Sequence, residues 1–351
     1  MITRNVNLRD HNTFRLHAHA AALAKFCDEN DLRAIFTDTS LPSPFKAIGS
    51  GSNLILTGDF PGTILLSDNH TIRLTAEEGS DKVLLTAGAA VETDELCRMT
   101  AEKGLWGLEN LSGIPGTAGA APVQNVGAYG VEAGDLIVSA TAFDTQTMST
   151  VIIDGSEMQF GYRDSMFKHP CNRDRYIITD VTFRLSRIPR PRLDYGPLKE
   201  LRNSGEEITP MLIRNTVLKI RDSKLPDVSV IGSAGSFFKN PVVAQSIYEQ
   251  IASQYPGIAV PHYEVGSGLV KIPAAWLIDR AGMKGTREGG AAVWEAQPLV
   301  IVNATGEATA SDVIALEKRI ISSVNRKFGI MLTPEAEHLG CTDRSVQSGV
   351  E

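Results

Sequence analysis

The chain of 351 residues lacks the features that mark several common functions. Its four cysteines, Cys27, Cys97, Cys171 and Cys341, stand far apart with no CxxC pair. That spacing excludes zinc-ribbon and thioredoxin-like designs, and four buried, reduced thiols are expected. The seven histidines are scattered without HExxH or other ligand spacing, so no metal is expected. No serine sits in a GxSxG elbow, which argues against a hydrolase triad. There is no excess of basic charge, and a net charge of −7 gives no electrostatic reason to expect nucleic acid as a partner. No run of 18 apolar residues exists to span a membrane. The first residues, Met1 to Asn7, lack the apolar core of a signal peptide. Both absences point to a cytoplasmic location.

What is present is an ordinary globular composition, 42% apolar and 21% charged. The length suggests two or three domains, because a single core stops growing near 250 to 300 residues. Residues 20–35 read as a helix with Leu23, Phe26 and Cys27 on one side. Strands are expected at 45–48, 54–56, 63–66, 83–87, 136–144, 149–154 and 176–185. A helix over 92–103 stops at Gly104, and a second covers 209–222 before a linker at Lys224-Leu225-Pro226-Asp227. After residue 236 the texture becomes α/β, with helices near 243–254, 273–280 and 311–328 and strands near 291–294 and 299–303. The last ten residues read as a frayed tail.

Five segments carry candidate chemistry. Gly49-Ser50-Gly51-Ser52-Asn53 lies between two short strands, and backbone N–H groups in such a loop can cradle phosphate. It is no dinucleotide fingerprint, since Leu54 stands where the third glycine of GxGxxG would be, and no Gly-Lys-Ser/Thr follows to make a P-loop. Residues 111–134 are rich in glycine and alanine and almost uncharged, too small in side-chain volume for an ordinary helix or strand. A long uncharged loop of this kind suits backbone lying against a flat cofactor; a flexible loop is the plain alternative. Gly161-Tyr162-Arg163-Asp164-Ser165 sets an arginine beside an acid and a hydroxyl, either a surface ion pair or a holder of an oxyanion. Gly232-Ser233-Ala234-Gly235-Ser236-Phe237-Phe238-Lys239-Asn240-Pro241 reads as a tight loop, or a plain glycine turn, that presents one hydroxyl beside an apolar surface. Near the end, Thr333-Pro334-Glu335 follows the apolar Ile330-Met331-Leu332, where a glutamate is ordinarily a surface residue.

In this order and spacing the segments resemble the UDP-N-acetylenolpyruvoylglucosamine reductase family. The matching pieces run from Asn12-Thr13-Phe14 to about Gly340. They include Gly49–Asn53, Gly107–Leu111, Ile114–Gly116, Pro122–Gly130, Gly161–Ser165, Gly235–Pro241, Ala275–Asp279 and Pro334-Glu335. The resemblance implies an α+β / α/β fold, with two FAD-binding subdomains of the vanillyl-alcohol-oxidase-like (PCMH) kind rather than a Rossmann domain. An α/β substrate-binding domain follows. The implied boundaries are 1–70 and 71–225 for the FAD subdomains, 226–328 for the substrate domain, 329–340 for a C-terminal segment carrying Glu335, and 341–351 for a tail.

The implied cofactors are FAD and NADPH. Gly49, Ser50, Gly51, Ser52, Asn53 and Leu54 correspond to the pyrophosphate loop. Pro115, Gly116, Gly119, Ala120, Ala121, Pro122, Gln124, Asn125, Gly127, Ala128 and Val131 correspond to the segment along the flavin. The resemblance also implies that Ser236 donates a proton, while Arg163 and Glu335 polarise the carboxylate of a UDP-sugar enolpyruvyl ether. A guanidinium suits this role because it stays charged and binds carboxylates bidentately. The like charge of the substrate favours a protonated Glu335. Tyr195, in Leu193-Asp194-Tyr195-Gly196, resembles the mobile tyrosine loop of the longer, type I members, and Arg221, Lys224, Asn240 and Lys271 resemble further substrate contacts. A monomer with no nucleic-acid or membrane partner is expected. One departure is Glu337, where the family usually places a basic residue, which puts in doubt any local ion pair holding the Glu335 backbone. Two alternatives remain open: a flavin oxidase of the same FAD-binding class, and a non-catalytic nucleotide-binding or cell-wall scaffold protein.

Overall fold

In the first half of the chain short apolar runs, some alternating and some continuous, pair into two sheets. The computed structural model describes residues 1–340, and contacts divide them into two units. The first unit comprises Met1–Val6, His19–Gly51 and Phe60–Ser223; the second comprises Asn7–Ala18, Ser52–Asp59 and the chain from Lys224. The short stretches Asn7–Ala18 and Ser52–Asp59 thus leave the first unit and return, a threading that linear boundaries do not express.

One sheet of the first unit has the order Ile2–Asn7, His19–Phe26, Phe60–Ser67, Phe45–Ile48, with the last three strands parallel. Residues 20–35 are therefore not one helix. His19–Phe26 is a strand, and a separate helix, Glu29–Thr37, begins after Asp28. The physical reason is that Ala22, Ala24 and Phe26 are buried beside Leu65, the situation of a parallel strand. The Asp28 carboxylate then accepts from the N–H groups of Asn30 and Asp31, starting the helix.

The second sheet is antiparallel, in the order Ser149–Asp154, Ile137–Asp144, Tyr176–Ser186, Lys82–Gly88, Ile72–Ala76. Val83, Leu85 and Ala87 point one way and meet Val181, Phe183 and Leu185 in a core that also takes Leu96 and Cys97 from the helix Thr93–Glu102. The helix Pro210–Asp222 packs Ile213 and Val217 against Trp106, Leu193 and Leu198. Its buried Arg214 makes a bidentate pair with Asp94, one contact being 2.8 Å.

The second unit centres on a four-stranded antiparallel sheet in the order Gly232–Ser236, Val300–Asn303, Ala291–Val293, Arg287–Glu288. The helix Ala310–Phe328 packs Val313, Leu316, Ile320 and Val324 inward. A three-stranded sheet, Val242–Ala244, Leu269–Lys271, Tyr263–Gly266, was not foreseen from sequence. Glu337–Leu339 pairs in parallel with Leu54–Leu56. The cysteine expectation is corrected. Cys97 is buried, but Cys27 and Cys171 are exposed, all three as free thiols, because both exposed ones sit in connecting chain. Cys341 and the rest of the 341–351 tail lie outside the described residues. Among the described residues no helix is long and apolar enough to cross a membrane.

Candidate active site

The first unit holds Gly49, Ser50 and Gly51 at the end of the strand Phe45–Ile48. A Cβ on Gly49 would stand 2.8 Å from Thr117 Oγ1 and 3.3 Å from the Ala120 methyl, so only glycine lets the two segments meet this closely. Gly51 adopts a φ of +67°. The Ser50 hydroxyl is buried and has no hydrogen-bond partner among the described residues.

The uncharged stretch that reads as a loop is built from very short elements. Ala118–Ala120 is a 3-10 turn, Ala121–Gln124 a single helical turn, and Gly127–Ala128 and Val131–Glu132 a small hairpin. The two hairpin turn residues, Tyr129 at φ +50° and Gly130 at φ +82°, both lie in the left-handed region, as a type I′ turn requires. Asn125 ties the stretch together. Its Nδ2 donates to Glu132 Oε2 and to the Gly161 carbonyl, both at 2.8 Å, and its Oδ1 accepts from Gly134 N at 2.9 Å. Pro115 and Gly116 precede these turns, and Gly116 accepts from Thr93 N at 2.9 Å. Gly119 lies so close to Ala89 that a Cβ would fall 2.6 Å from the alanine methyl.

Arg163 occupies the tip of a tight turn closed by two bonds between Gly161 and Asp164, at 3.0 and 3.1 Å. Its φ of +55° is uncommon for a residue with a side chain, and such strain clusters at functional sites. Nη2 of Arg163 donates to the Gly127 carbonyl at 2.6 Å. Lys168 Nζ donates to both the Arg163 carbonyl, at 2.8 Å, and Gln124 Oε1, at 2.6 Å. Arg163 is thereby fixed onto the stretch that contains Gln124, Gly127 and Ala128.

Tyr195 is partly exposed and meets Tyr129 edge to face, with ring centroids 6.0 Å apart. The Arg221 guanidinium lies close to the Tyr129 phenol. Burial pushes the Tyr129 phenol up and the Arg221 guanidinium down from their ordinary values, opposed in each case by the attraction of the other.

The second unit holds Ser52, Asn53, Leu54, Lys224, Ser236, Asn240, Lys271 and Glu335. Ser236 ends the strand Gly232–Ser236. Its register against Val300–Asn303 slips by one residue between Ser233 and Ser236, and Gly235 in that bulge has φ +68°. A glycine in this conformation is what a bulge of this kind uses to re-aim the next side chain. Ser236 is exposed, whereas Phe237 and Phe238 are fully buried, their centroids 5.1 Å apart. The two rings anchor the serine from beneath, each contributing about 2–3 kcal/mol by burial.

The chain just after Ser236 runs beside the C-terminal segment. Glu335 N donates to the Phe237 carbonyl at 2.8 Å, and Lys239 N donates to Thr333 O at 2.9 Å. Ser236 and Glu335, 99 positions apart by subtraction of their numbers, are thus brought to neighbouring backbones. Asn53 Nδ2 donates to the Glu335 carbonyl at 3.0 Å. Asn240 Oδ1 accepts from Ala274 N at 2.9 Å, at the start of the helix Ala274–Arg280. Lys271 lies over the Tyr263 ring, with 6.0 Å from Nζ to the centroid, and the Lys224 carbonyl accepts from Trp294 Nε1 at 3.0 Å. Among the described residues no group of three or more His, Cys, Asp or Glu could hold a metal ion.

Comparison with known proteins bears on both units. Residues 226–339 match the model of the UDP-N-acetylenolpyruvoylglucosamine reductase C-terminal domain, and residues 20–148 that of the FAD binding domain. The UDP-N-acetylenolpyruvoylglucosamine reductase of Bacteroides fragilis is 40% identical over 333 residues, 95% of this chain and 98% of its own. Those of Photobacterium profundum and Pseudomonas aeruginosa are 39% and 41% identical over 350 and 337 residues, covering 99% and 95% of this chain and 99% and 98% of theirs. This chain belongs to the UDP-N-acetylenolpyruvoylglucosamine reductase family. The crystal structure of the Thermus caldophilus reductase aligns with a TM-score of 0.66 at 25% identity, over 96% of this chain and 99% of that one.

The fold class of the family and FAD as its cofactor follow for this chain. The residues present fit that cofactor at one point, since the Ser50 hydroxyl is buried without a partner among the described residues and is free to donate to a phosphate oxygen. Sequence reasoning missed Tyr129, Lys168 and Asn110. The turn pair Tyr129-Gly130 was a readable signal for the first. Lys168 carried none. Asn110 is fully buried and joins the Tyr129 and Arg192 carbonyls at 2.8 and 2.9 Å, a pairing across more than 60 residues that no local pattern announces.

Proposed function

We propose that the protein reduces UDP-N-acetylglucosamine enolpyruvate to UDP-N-acetylmuramate with NADPH, a cytoplasmic step of peptidoglycan precursor synthesis. FAD, held by the loop 49–54 and the stretch 115–131, would supply a hydride drawn from NADPH for the terminal carbon of the enolpyruvyl double bond. The chain's own residues then manage charge and the proton. The Arg163 guanidinium binds the substrate carboxylate into which negative charge moves. Glu335, in its protonated form, donates to the same carboxylate. Ser236 Oγ–H delivers the proton to the adjacent carbon, so that one hydride and one proton add across the double bond. Tyr195, Arg221, Lys224, Asn240 and Lys271 hold the UDP-sugar. Residues 1–70 and 71–225 serve the cofactor, 226–328 the substrate, and the protein acts as a monomer.

The observation that carries this reading is the bulge at Gly235, which leaves Ser236 exposed on a strand whose continuation is hydrogen-bonded to the backbone of Glu335. The strained Arg163 adds weight from the first unit. The test is an anaerobic visible spectrum of the holoprotein. The flavin band should bleach with NADPH and return on adding the enolpyruvyl sugar. A flavin that bleaches and does not return would remove the substrate assignment.

A further inference from the structure

Glu335 stands on a peptide held at both ends by hydrogen bonds within the second unit. Its N–H donates to Phe237 O at 2.8 Å, on the strand that continues from Ser236. Its C=O accepts from Asn53 Nδ2 at 3.0 Å. Asn53 holds the next turn of chain as well, because its own carbonyl accepts from Glu337 N at 2.8 Å. From there the chains run in parallel register, Leu54 opposite Glu337, Ile55 opposite His338 and Leu56 opposite Leu339. Behind this strand His338 Nε2 meets Glu317 Oε2 of the helix Ala310–Phe328 at 2.8 Å.

We infer that Asn53 is a positioning residue for Glu335, acting through the Glu335 carbonyl. The inference rests on the role given above to Glu335. A neutral amide is the group this place needs. It donates to a carbonyl without adding charge beside a carboxyl group, which aspartate would do, and it keeps its reach, which alanine would lose. Two hydrogen bonds to Asn53, one at the Glu335 carbonyl and one from the Glu337 N–H, hold this segment at its backbone. Asn53 also closes the Gly49–Asn53 loop assigned to the pyrophosphate. Its side chain is engaged with Glu335, which separates it in role from the rest of that loop.

The test uses full-length holoprotein carrying Asn53→Ala, Asn53→Asp, Glu335→Gln and the Asn53→Ala/Glu335→Gln pair. Flavin content, thermal midpoint and the rate of flavin reduction by NADPH are measured first. The rate at which the enolpyruvyl sugar reoxidises the reduced flavin is measured next. Both Asn53 variants are saturated with FAD and their rates read per bound flavin, so that a change in FAD affinity does not enter the comparison. They should reoxidise about ten- to a hundredfold more slowly, the scale of a misplaced catalytic group. The paired variant should be no slower than Glu335→Gln alone, because residues acting through one another are not additive. Loss of flavin from Asn53→Ala that added FAD repairs would make Asn53 a cofactor contact and overturn the inference. Additive losses in the paired variant would overturn it too. Glu335→Gln reoxidising at the wild-type rate would instead remove the role of Glu335, and the inference with it.

Discussion

Glu109 is a carboxyl group almost out of reach of water, 1% exposed, with Gly107 N donating to its Oε2 at 2.6 Å. Burial pushes it above the ordinary carboxylate range, against that hydrogen bond. The folded state therefore binds this proton more tightly than the unfolded state does. Stability contributed by the group is fully present below its unfolded pKa and declines as pH rises through the folded one. Glu109→Gln keeps an acceptor for Gly107 N and removes the ionisation. Thermal midpoints of the two holoproteins should converge below about pH 4, beneath the unfolded carboxyl's pKa, with the variant equal or higher at pH 8. A variant clearly less stable at pH 8 would mean that the charged form is the one the fold favours. Glu109 was not legible as a buried group. It lies between Gly107 and Leu111 in a run that matches the family, and acidic residues are mostly exposed.

At the scale of elements, legibility followed local pattern. The strand Lys82–Gly88 is an apolar run whose burial alternates, and the sequence places it within a residue or so. The helix Ala310–Phe328 was equally readable, between the Thr309–Asp312 capping box and Gly329 at φ +68°. His19–Phe26 was misread because its run of alanines carries helix propensity, while a parallel strand buried on both faces shows no alternation to oppose it. The strands Val242–Ala244, Tyr263–Gly266 and Leu269–Lys271 are three or four residues long, too short to show a period. The loop at Gly49 offers a direct test at this scale. A methyl group there meets Thr117 Oγ1, and forced overpacking costs about 1–3 kcal/mol. Gly49→Ala should weaken FAD binding by about ten- to a hundredfold, read as the dissociation constant of FAD from reconstituted protein. An unchanged constant would take this loop out of the cofactor site.

For the whole molecule, what the sequence withheld was long-range pairing. Asn7–Ala18 and Ser52–Asp59 join the unit formed by the chain from Lys224, and Asn53 meets Glu335 across 282 positions. No local pattern encodes which distant strand will pair with Leu54–Leu56. The residue types of the candidate site were legible, because Ser236, Arg163 and Glu335 stand in unusual glycine, tight-turn and proline contexts. The bulge, the left-handed Arg163 and the backbone bonds that join Ser236 to Glu335 were not. The central claim is that Ser236 gives the proton to the substrate carbon. It is tested most directly by reducing the flavin of Ser236→Ala with NADPH under anaerobic conditions, then following its reoxidation by the enolpyruvyl sugar. NADPH should bleach the flavin at the wild-type rate, and reoxidation should be slower by about 10²- to 10⁴-fold, the usual worth of a general acid. Reoxidation within a few-fold of wild type would contradict the claim.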